Sequence, residues 1–279
     1  MIKRIYIEIT NACNLSCAFC PGTKRQISYM TPDSFSHVLE EVKPLTKYIY
    51  LHVQGEPLLH PDFETIMRIA DTNEMKVQLV TNGSLLNRHP DLLRHSSLRK
   101  LSVSLQSAAY LKGIELPDYM DTICALADEI SRGNDQFMDL RFWRQDELQK
   151  PADHYCLDFL RKRYAFIETD RRNSFRILRN VFISFANEFT WPVASTSPPS
   201  SAGTCLGTRQ QLAVLSDLTV VPCCLDSEGA VPLGNLSEKR LSEVMADNRF
   251  QRMRDGFEHQ EITEPFCRTC SFRLRFTNG

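Results

Sequence analysis

Long apolar runs are missing from this sequence. No stretch of the 279 residues approaches the roughly 20 apolar positions that a bilayer-spanning helix needs. The opening, MIKRIYIEIT, is too polar and too alternating for a secretion signal. These absences place the chain in the cytoplasm and predict no membrane partner. An excess of charge is missing too, since 33 Lys and Arg meet 34 Asp and Glu for a formal net charge of −1. With no global attraction to nucleic acid, no such partner is expected. Cysteine, by contrast, is abundant. Ten in a cytoplasmic chain argue against disulfides, and their clustering argues for bound metal.

Three thiols fall in NACNLSCAFC, Asn11 to Cys20, directly after a strand-like run. The spacing Cys-x3-Cys-x2-Cys supplies three metal ligands, Cys13, Cys17 and Cys20, and no fourth. Four-thiolate clusters and structural zinc sites close their coordination with protein groups. A trio therefore points to a [4Fe-4S] cluster with one iron left for a non-protein ligand. The alternatives are a zinc site borrowing a distant ligand, or thiols that merely sit in a core. A zinc ribbon shows paired Cys-x2-Cys knuckles, and the first gap here has the wrong length. Asn11, Asn14 and Ser16 make a loop composition rather than a core. With the preceding strand, Phe19 before the last thiol and the later Gln54-Gly55-Glu56-Pro57, the chain resembles the radical S-adenosylmethionine (radical SAM) enzymes. The resemblance implies that SAM chelates the open iron through its amino and carboxylate groups. An electron from the cluster then cleaves it to methionine and a 5′-deoxyadenosyl radical.

Ile5 to Thr10 alternates apolar and polar residues, as a two-faced strand does. Thr31-Pro32-Asp33 opens a helix by capping chemistry, with Phe35, Val38, Leu39 and Val42 on one stripe. Further strands are expected at Tyr48 to Val53, Lys76 to Thr81, Lys100 to Gln106, Met138 to Phe142 and Val181 to Phe185. Helices are expected from Asp62 to Ala70, around Asp91 to His95, and through Tyr119, Ile123, Cys124, Ala127 and Ile130. Strand alternating with helix reads as parallel β/α units. For this α/β fold the family resemblance implies a partial (β/α)6 TIM-like barrel. One strand parity is apolar: Ile5, Ile7 and Ile9; Ile49, Leu51 and Val53; Leu101, Val103 and Leu105. The other carries Glu8, His52, Gln54, Gln78, Asn82, Ser102, Gln106, Asp139 and Arg141. A lumen this polar implies a polar substrate, or side chains that satisfy one another around buried water. Glu8 and His52 are the candidate substrate contacts.

Barrel chemistry belongs at the carboxyl ends of the strands. By resemblance, Gly55 and Glu56 belong to the element that holds the SAM amino group, with Gln54 where the family has a glycine. Ser104 is implied at the ribose and the backbone around Phe19 at the adenine, while Asn82 and Arg141 are further cofactor-binding candidates. Arg161, Lys162, Arg163, Arg171, Arg172, Arg176 and Arg179 form a basic stretch, read as a solvated face or a clamp for an anionic substrate.

Thr190-Trp191-Pro192 and the serine- and proline-rich run Ser195 to Ser201 read as a linker, dividing the chain into domains 1–195 and 196–279. Beyond it come Cys205, a hairpin-like Leu212 to Val221, Pro222-Cys223-Cys224, a helix through Leu241, Val244 and Met245, and Cys267-Arg268-Thr269-Cys270. This resembles the SPASM/Twitch extension of radical SAM enzymes, a small C-terminal auxiliary-cluster domain of β-hairpin plus helix. Five cysteines imply its one-cluster form, an auxiliary [4Fe-4S] cluster on Cys205, Cys223, Cys267 and Cys270. Cys224 is the alternative to Cys223, and an all-cysteine zinc site is the alternative to iron.

Four protein thiolates leave no open iron, so this second cluster serves electron transfer or structural support. Electron acceptance from a substrate radical would give dehydrogenation, as in relatives that act on aminocyclitols. Quenching by a hydrogen atom would give epimerisation, with Cys224 as the candidate donor. Cys124 and Cys156 read as packing. The leading function is hydrogen abstraction from a sugar, aminocyclitol or similar polar substrate, with a flavodoxin- or ferredoxin-type electron donor. One alternative is a peptide maturase forming thioether or C-C crosslinks, which the absence of a leader-binding segment before the barrel disfavours. Another is a non-catalytic iron-sulfur electron carrier or redox sensor.

Overall fold

The computed structural model describes residues 2–133, 135–143, 150–171, 173–195 and 197–276. Arg172 of the basic stretch and the domain-boundary residues 1, 196 and 279 lie outside the described residues. In chain order the elements are β1 (Arg4–Ile7), α1 (Pro32–Val42), β2 (Tyr48–Tyr50), α2 (Phe63–Thr72), β3 (Lys76–Thr81), β4 (Leu98–Ser104), α3 (Leu116–Arg132), β5 (Phe137–Trp143) and α4 (Pro151–Arg163). There follow β6 (Ile167–Glu168), β7 (Ser174–Leu178), β8 (Val181–Ala186), β9 (Gln211–Val214), β10 (Thr219–Val221), β11 (Gly234–Asn235), α5 (Leu241–Ala246), α6 (Asn248–Glu258) and α7 (Pro265–Arg268).

The chain forms two compact units. The first contains Met1–Cys13, Ala18–Met75 and Phe189–Gly279. Its strands run in the order β11-β10-β9-β1-β2. β1 lies parallel to both neighbours, with Ile5 opposite Ile49 on β2 and Leu212 on β9. β9 and β10 form the expected antiparallel hairpin, with Thr219 N donating to Asp217 Oδ1 at its turn. The Thr31 side chain caps α1 by accepting from Ser34 N, and Phe35, Val38, Leu39 and Val42 are its buried stripe. The C-terminal segment is fastened to α1. Leu241 N donates to Glu41 Oε2 at 2.7 Å, and the His37 ring donates to Leu236 O at 2.9 Å.

The second unit contains Asn14–Cys17 and Lys76–Glu188. Here β3, β4, β5 and β8 run parallel in that order, and β7 and β6 extend the sheet in antiparallel sense. α3 buries Tyr119, Met120, Ile123, Cys124, Ala127 and Ile130. Cys124 and Cys156 are 1% and 0% exposed, as packing thiols should be.

Several boundaries differ from expectation, each for a local reason. β1 stops at Ile7 because Glu8 turns into a buried ion pair and Thr10 bridges to Tyr29. β2 stops at Tyr50, ahead of the turn at Gly55, whose φ is +78°. The helix expected around Asp91 to His95 is only a 3-10 turn, Leu92–Arg94. Pro90 disfavours helical backbone at His89, and β4 already begins at Leu98. A strand pair ahead of the sixth parallel strand, β6 with β7, was not expected. Its link to β8 is a tight turn in which Asn180 adopts φ +63°, a conformation asparagine tolerates. The linker reading also changes: Ser195 Oγ donates to Thr269 O at 2.7 Å and Ser200 N to Arg268 O, pinning that run to the last cysteine pair.

Candidate active site

The thiol-bearing segment leaves β1 through a clamped base. Asn11 Nδ2 donates to Gln26 O at 2.9 Å, Ser28 N to Asn11 Oδ1 at 2.8 Å, Thr10 Oγ1 to Ser28 O at 2.9 Å, and Met30 N to Ile9 O at 2.8 Å. The loop is thus closed below while its thiols stay accessible: Cys13 is exposed, Cys17 and Cys20 half-buried. Burial raises the Cys20 pKa. Asn14 is held from another direction in its own unit, donating to Ser84 Oγ at 2.8 Å and accepting from Asn82 Nδ2 at 3.0 Å.

Gln54, Gly55 and Glu56 meet the base of this loop. Glu56 N donates to Ala12 O at 2.7 Å. A Cβ at position 55 would lie 2.5 Å from Thr10 O and 2.7 Å from Ala12 O, so only glycine fits this approach. Glu56 is 1% exposed and its Oε1 accepts from Leu58 N, capping a 3-10 turn. Gln54, standing where the family pattern has glycine, accepts from the Cys20 thiol at 3.3 Å through Oε1 and donates from Nε2 to Ser227 Oγ at 3.4 Å.

Glu8 corrects an expectation. Its carboxylate is fully buried, paired with the Arg25 guanidinium, and accepts from Ser216 N at 3.2 Å, Ser216 Oγ at 3.0 Å and Gln54 N at 3.3 Å. Protein donors occupy both oxygens, so Glu8 organises the loop instead of facing a substrate. His52 keeps a half-buried position, edge-on to the stacked rings of Tyr6 and Tyr50.

In the second unit, Ser104 and Arg141 are register partners on β4 and β5, both half-buried. Asn82 follows β3, 8% exposed. Its side chain holds Asn14, Ser84 N and Ser84 Oγ, and its carbonyl accepts from Tyr119 Oη at 2.8 Å. Asn82 follows β3, Ser104 ends β4, and Arg141 lies in the C-terminal half of β5. Arg161, Lys162 and Arg163 are exposed at the end of α4, where cations suit the helix dipole. Arg163 pairs with Asp128 on α3 at 2.7 Å.

The C-terminal thiols converge. Cys223 lies within electrostatic reach of Cys205 and Cys267, and Cys205 and Cys267 both within reach of Cys270. Burial first, and then the charge of neighbouring thiols, that of Cys224 foremost at Cys223, pushes the pKa of Cys205, Cys223 and Cys267 up, while burial alone does so for Cys270. Four neighbouring buried thiols become thiolates together only around a strongly cationic core, which is what an iron-sulfur cluster supplies. Among the described residues no three His, Cys, Asp or Glu side chains are gathered tightly enough to hold one ion. Cys224, next in the chain, is also within electrostatic reach of Cys223 and Cys205 but is engaged on another side. It packs with Tyr6 against Val53, Ala213, Leu215 and Val221, accepts from the Tyr6 hydroxyl, and burial pushes its pKa up to about 11.

Sequence reasoning missed Arg25, Ser216, His60 and Arg273. The His60 ring donates from Nε2 to Met30 O at 2.9 Å and accepts from Asp62 N at Nδ1 at 3.0 Å, tying the exit of the cysteine loop to the start of α2.

Comparison with known proteins gives the family. The radical SAM superfamily profile matches residues 7–125, and the SPASM iron-sulfur cluster-binding domain matches residues 205–271. The chain is a radical SAM enzyme with a C-terminal SPASM domain, and its cofactors are SAM and [4Fe-4S] clusters. It is 36% identical over 107 residues to the AdoMet-dependent heme synthase of Methanosarcina barkeri, covering 36% of this chain and 30% of that protein. It is 32% identical over 111 residues to the GTP 3′,8-cyclase of a Synechocystis species, covering 38% and 34%. The matches span about a third of each relative's length. BtrN in complex with AdoMet and 2-DOIA superposes with a TM-score of 0.62 at 17% identity, over 93% of this chain and 88% of that one. SuiB of Streptococcus suis bound to S-adenosylmethionine superposes at 0.54 and 15% identity, over 90% and 67%. These likenesses show the fold class, an α/β partial (β/α)6 barrel with a small C-terminal auxiliary-cluster domain. Among the described residues no helix is long and apolar enough to cross a membrane.

Proposed function

We propose that this chain removes hydrogen from a C–H bond of a small polar metabolite, a sugar, aminocyclitol or related compound, and oxidises it by two electrons. The observation that carries the reading is the inequality of the two thiol sets: three in a clamped loop after β1, four converging near the C-terminus. In this reading Cys13, Cys17 and Cys20 hold the SAM-binding cluster within residues 1–195. Cys205, Cys223, Cys267 and Cys270 hold the auxiliary cluster within residues 196–279. When bound, the first cluster and SAM supply a 5′-deoxyadenosyl radical, and a flavodoxin- or ferredoxin-type protein supplies the electron.

The chain's own residues position and shield. Gly55 brings the backbone against the cysteine loop, and Glu56 presents a buried carboxylate suited to the SAM ammonium. Ser104, Asn82, Arg141 and the turn at Phe19 are assigned to the rest of SAM, and His52 to the substrate. Ser102 on β4 and Gln106 in the turn that follows it are buried polar groups, which supports a hydrogen-bonding substrate. Cys224, engaged by Tyr6 and apolar packing, is poorly presented as a hydrogen donor; this supports oxidation over epimerisation.

The test is a panel of ring-deuterated sugars and aminocyclitols incubated anaerobically with reduced, iron-loaded enzyme and SAM. Deuterium appearing in 5′-deoxyadenosine, with a product that has lost two hydrogens, supports the reading. A product of inverted configuration that has exchanged one deuterium for hydrogen contradicts it, and restores Cys224 as donor if Cys224→Ala stops its formation.

A further inference from the structure

Arg273 is 4% exposed, yet among the described residues no carboxylate pairs with it. Its guanidinium is given entirely to backbone carbonyls. Nε donates to Cys267 O at 3.1 Å, Nη1 to Ala202 O at 2.9 Å, and Nη2 to Ser200 O at 3.2 Å and Arg268 O at 3.3 Å. These acceptors belong to two segments, 200–202 and 267–268, that lead into Cys205 and Cys270. One buried cation therefore lies between the two backbone segments that frame the thiol group.

Carbonyl oxygens satisfy the donors but do not neutralise the charge. Guanidinium stays protonated in proteins, and a buried cation without an anion is strongly unfavourable. The nearby Arg268 differs: it also donates to carbonyls, of Ile262 and Thr263, but its charge acts on the Glu264 carboxylate. The Arg273 guanidinium instead lies directly on the backbone of Cys267, one of the four thiol residues.

We propose that Arg273 is the built-in counter-cation of the auxiliary cluster, holding its reduction potential up so that it accepts an electron readily. The proposal rests on the reading that Cys205, Cys223, Cys267 and Cys270 ligate that cluster. A four-iron core with four thiolates is net negative and gains one more negative charge on reduction. A fixed buried cation stabilises the reduced form more than the oxidised form and shifts the potential upward. Arg273 is thus a positioning residue, acting through the cluster and not on the substrate.

The test uses the full-length, anaerobically reconstituted chain, its Arg273→Met and Arg273→Lys variants, iron analysis, and a redox titration followed by electron paramagnetic resonance. Iron for two clusters in the unsubstituted chain is the precondition; iron for one removes the underlying reading and the proposal with it. Given two clusters, Arg273→Met is expected to shift the auxiliary signal to lower potential, or to lose that cluster, while the SAM-binding cluster's signal stays in place. Arg273→Lys, which keeps the charge, is expected to load both clusters with an auxiliary midpoint near that of the unsubstituted chain. The proposal is overturned by a fully loaded Arg273→Met with an unmoved auxiliary midpoint. It is equally overturned if Arg273→Lys shifts as far as Arg273→Met, or if neither variant loads, since the guanidinium's geometry would then matter and its charge would not.

Discussion

Gly55 shows how much one side chain can forbid. Its backbone sits at φ +78°, and a methyl group there would meet Thr10 O at 2.5 Å, with no flexible atom to give way. Gly55→Ala is therefore expected to push the loop base away from Glu56, destabilising the fold by about 1–3 kcal/mol and lowering SAM cleavage. A urea titration checks the first effect, and an unchanged midpoint would count against the geometry. Glu8→Gln leaves Arg25 with a partly buried, uncompensated charge, for a cost of about 3 kcal/mol in the same titration. The three loop thiols and Gly55-Glu56 were legible in the sequence because their chemistry is local. Arg25, Ser216 and Arg273 were not, because what they do depends on distant partners: Ser216 meets Glu8 across 208 residues of chain.

Among the elements, the exit of the cysteine loop and the start of α2 are joined by a histidine whose bonds depend on its protonation. His60 satisfies both ring nitrogens only when neutral, since a protonated Nδ1 would lose the Asp62 N bond at the start of α2. Burial lowers its pKa below the usual 6.5. A depressed histidine pKa means that the unfolded chain binds more protons between the two pKa values. His60 therefore contributes its stability above about pH 6.5, and that contribution is lost as pH falls through the folded value. Unfolding free energy followed from pH 8 to pH 5 should decline for the unsubstituted chain and decline less for His60→Gln; parallel curves would refute the assignment. At this scale the alternating strands and the α1 stripe could be read directly, because burial imposes their periods. The strand pair β6–β7 and the helix α6 were missed. β6 has only two residues, and the turn into β8 relies on asparagine instead of glycine.

At the scale of the whole chain, the two thiol sets are expected to separate by substitution. Cys267→Ala should lower bound iron from about eight to about four atoms per chain and reduce product, while some SAM cleavage persists. Unchanged iron would remove the auxiliary site. The α/β class followed from residue patterns, whereas the number of barrel units came from family resemblance, since periodicity does not say where a sheet ends. The compact units also cut across the expected boundary at residue 195: the C-terminal segment shares a sheet with β1 and β2 through β9. Parallel pairing between strands some 200 residues apart leaves no local mark on the sequence.

The most direct test of the central claim is anaerobic incubation of the reduced, iron-loaded chain with SAM, alongside Cys17→Ala prepared in the same way. The unsubstituted chain is expected to release 5′-deoxyadenosine, and Cys17→Ala to release none while keeping its auxiliary iron. Equal release from both, or none from a fully loaded unsubstituted chain, would contradict it.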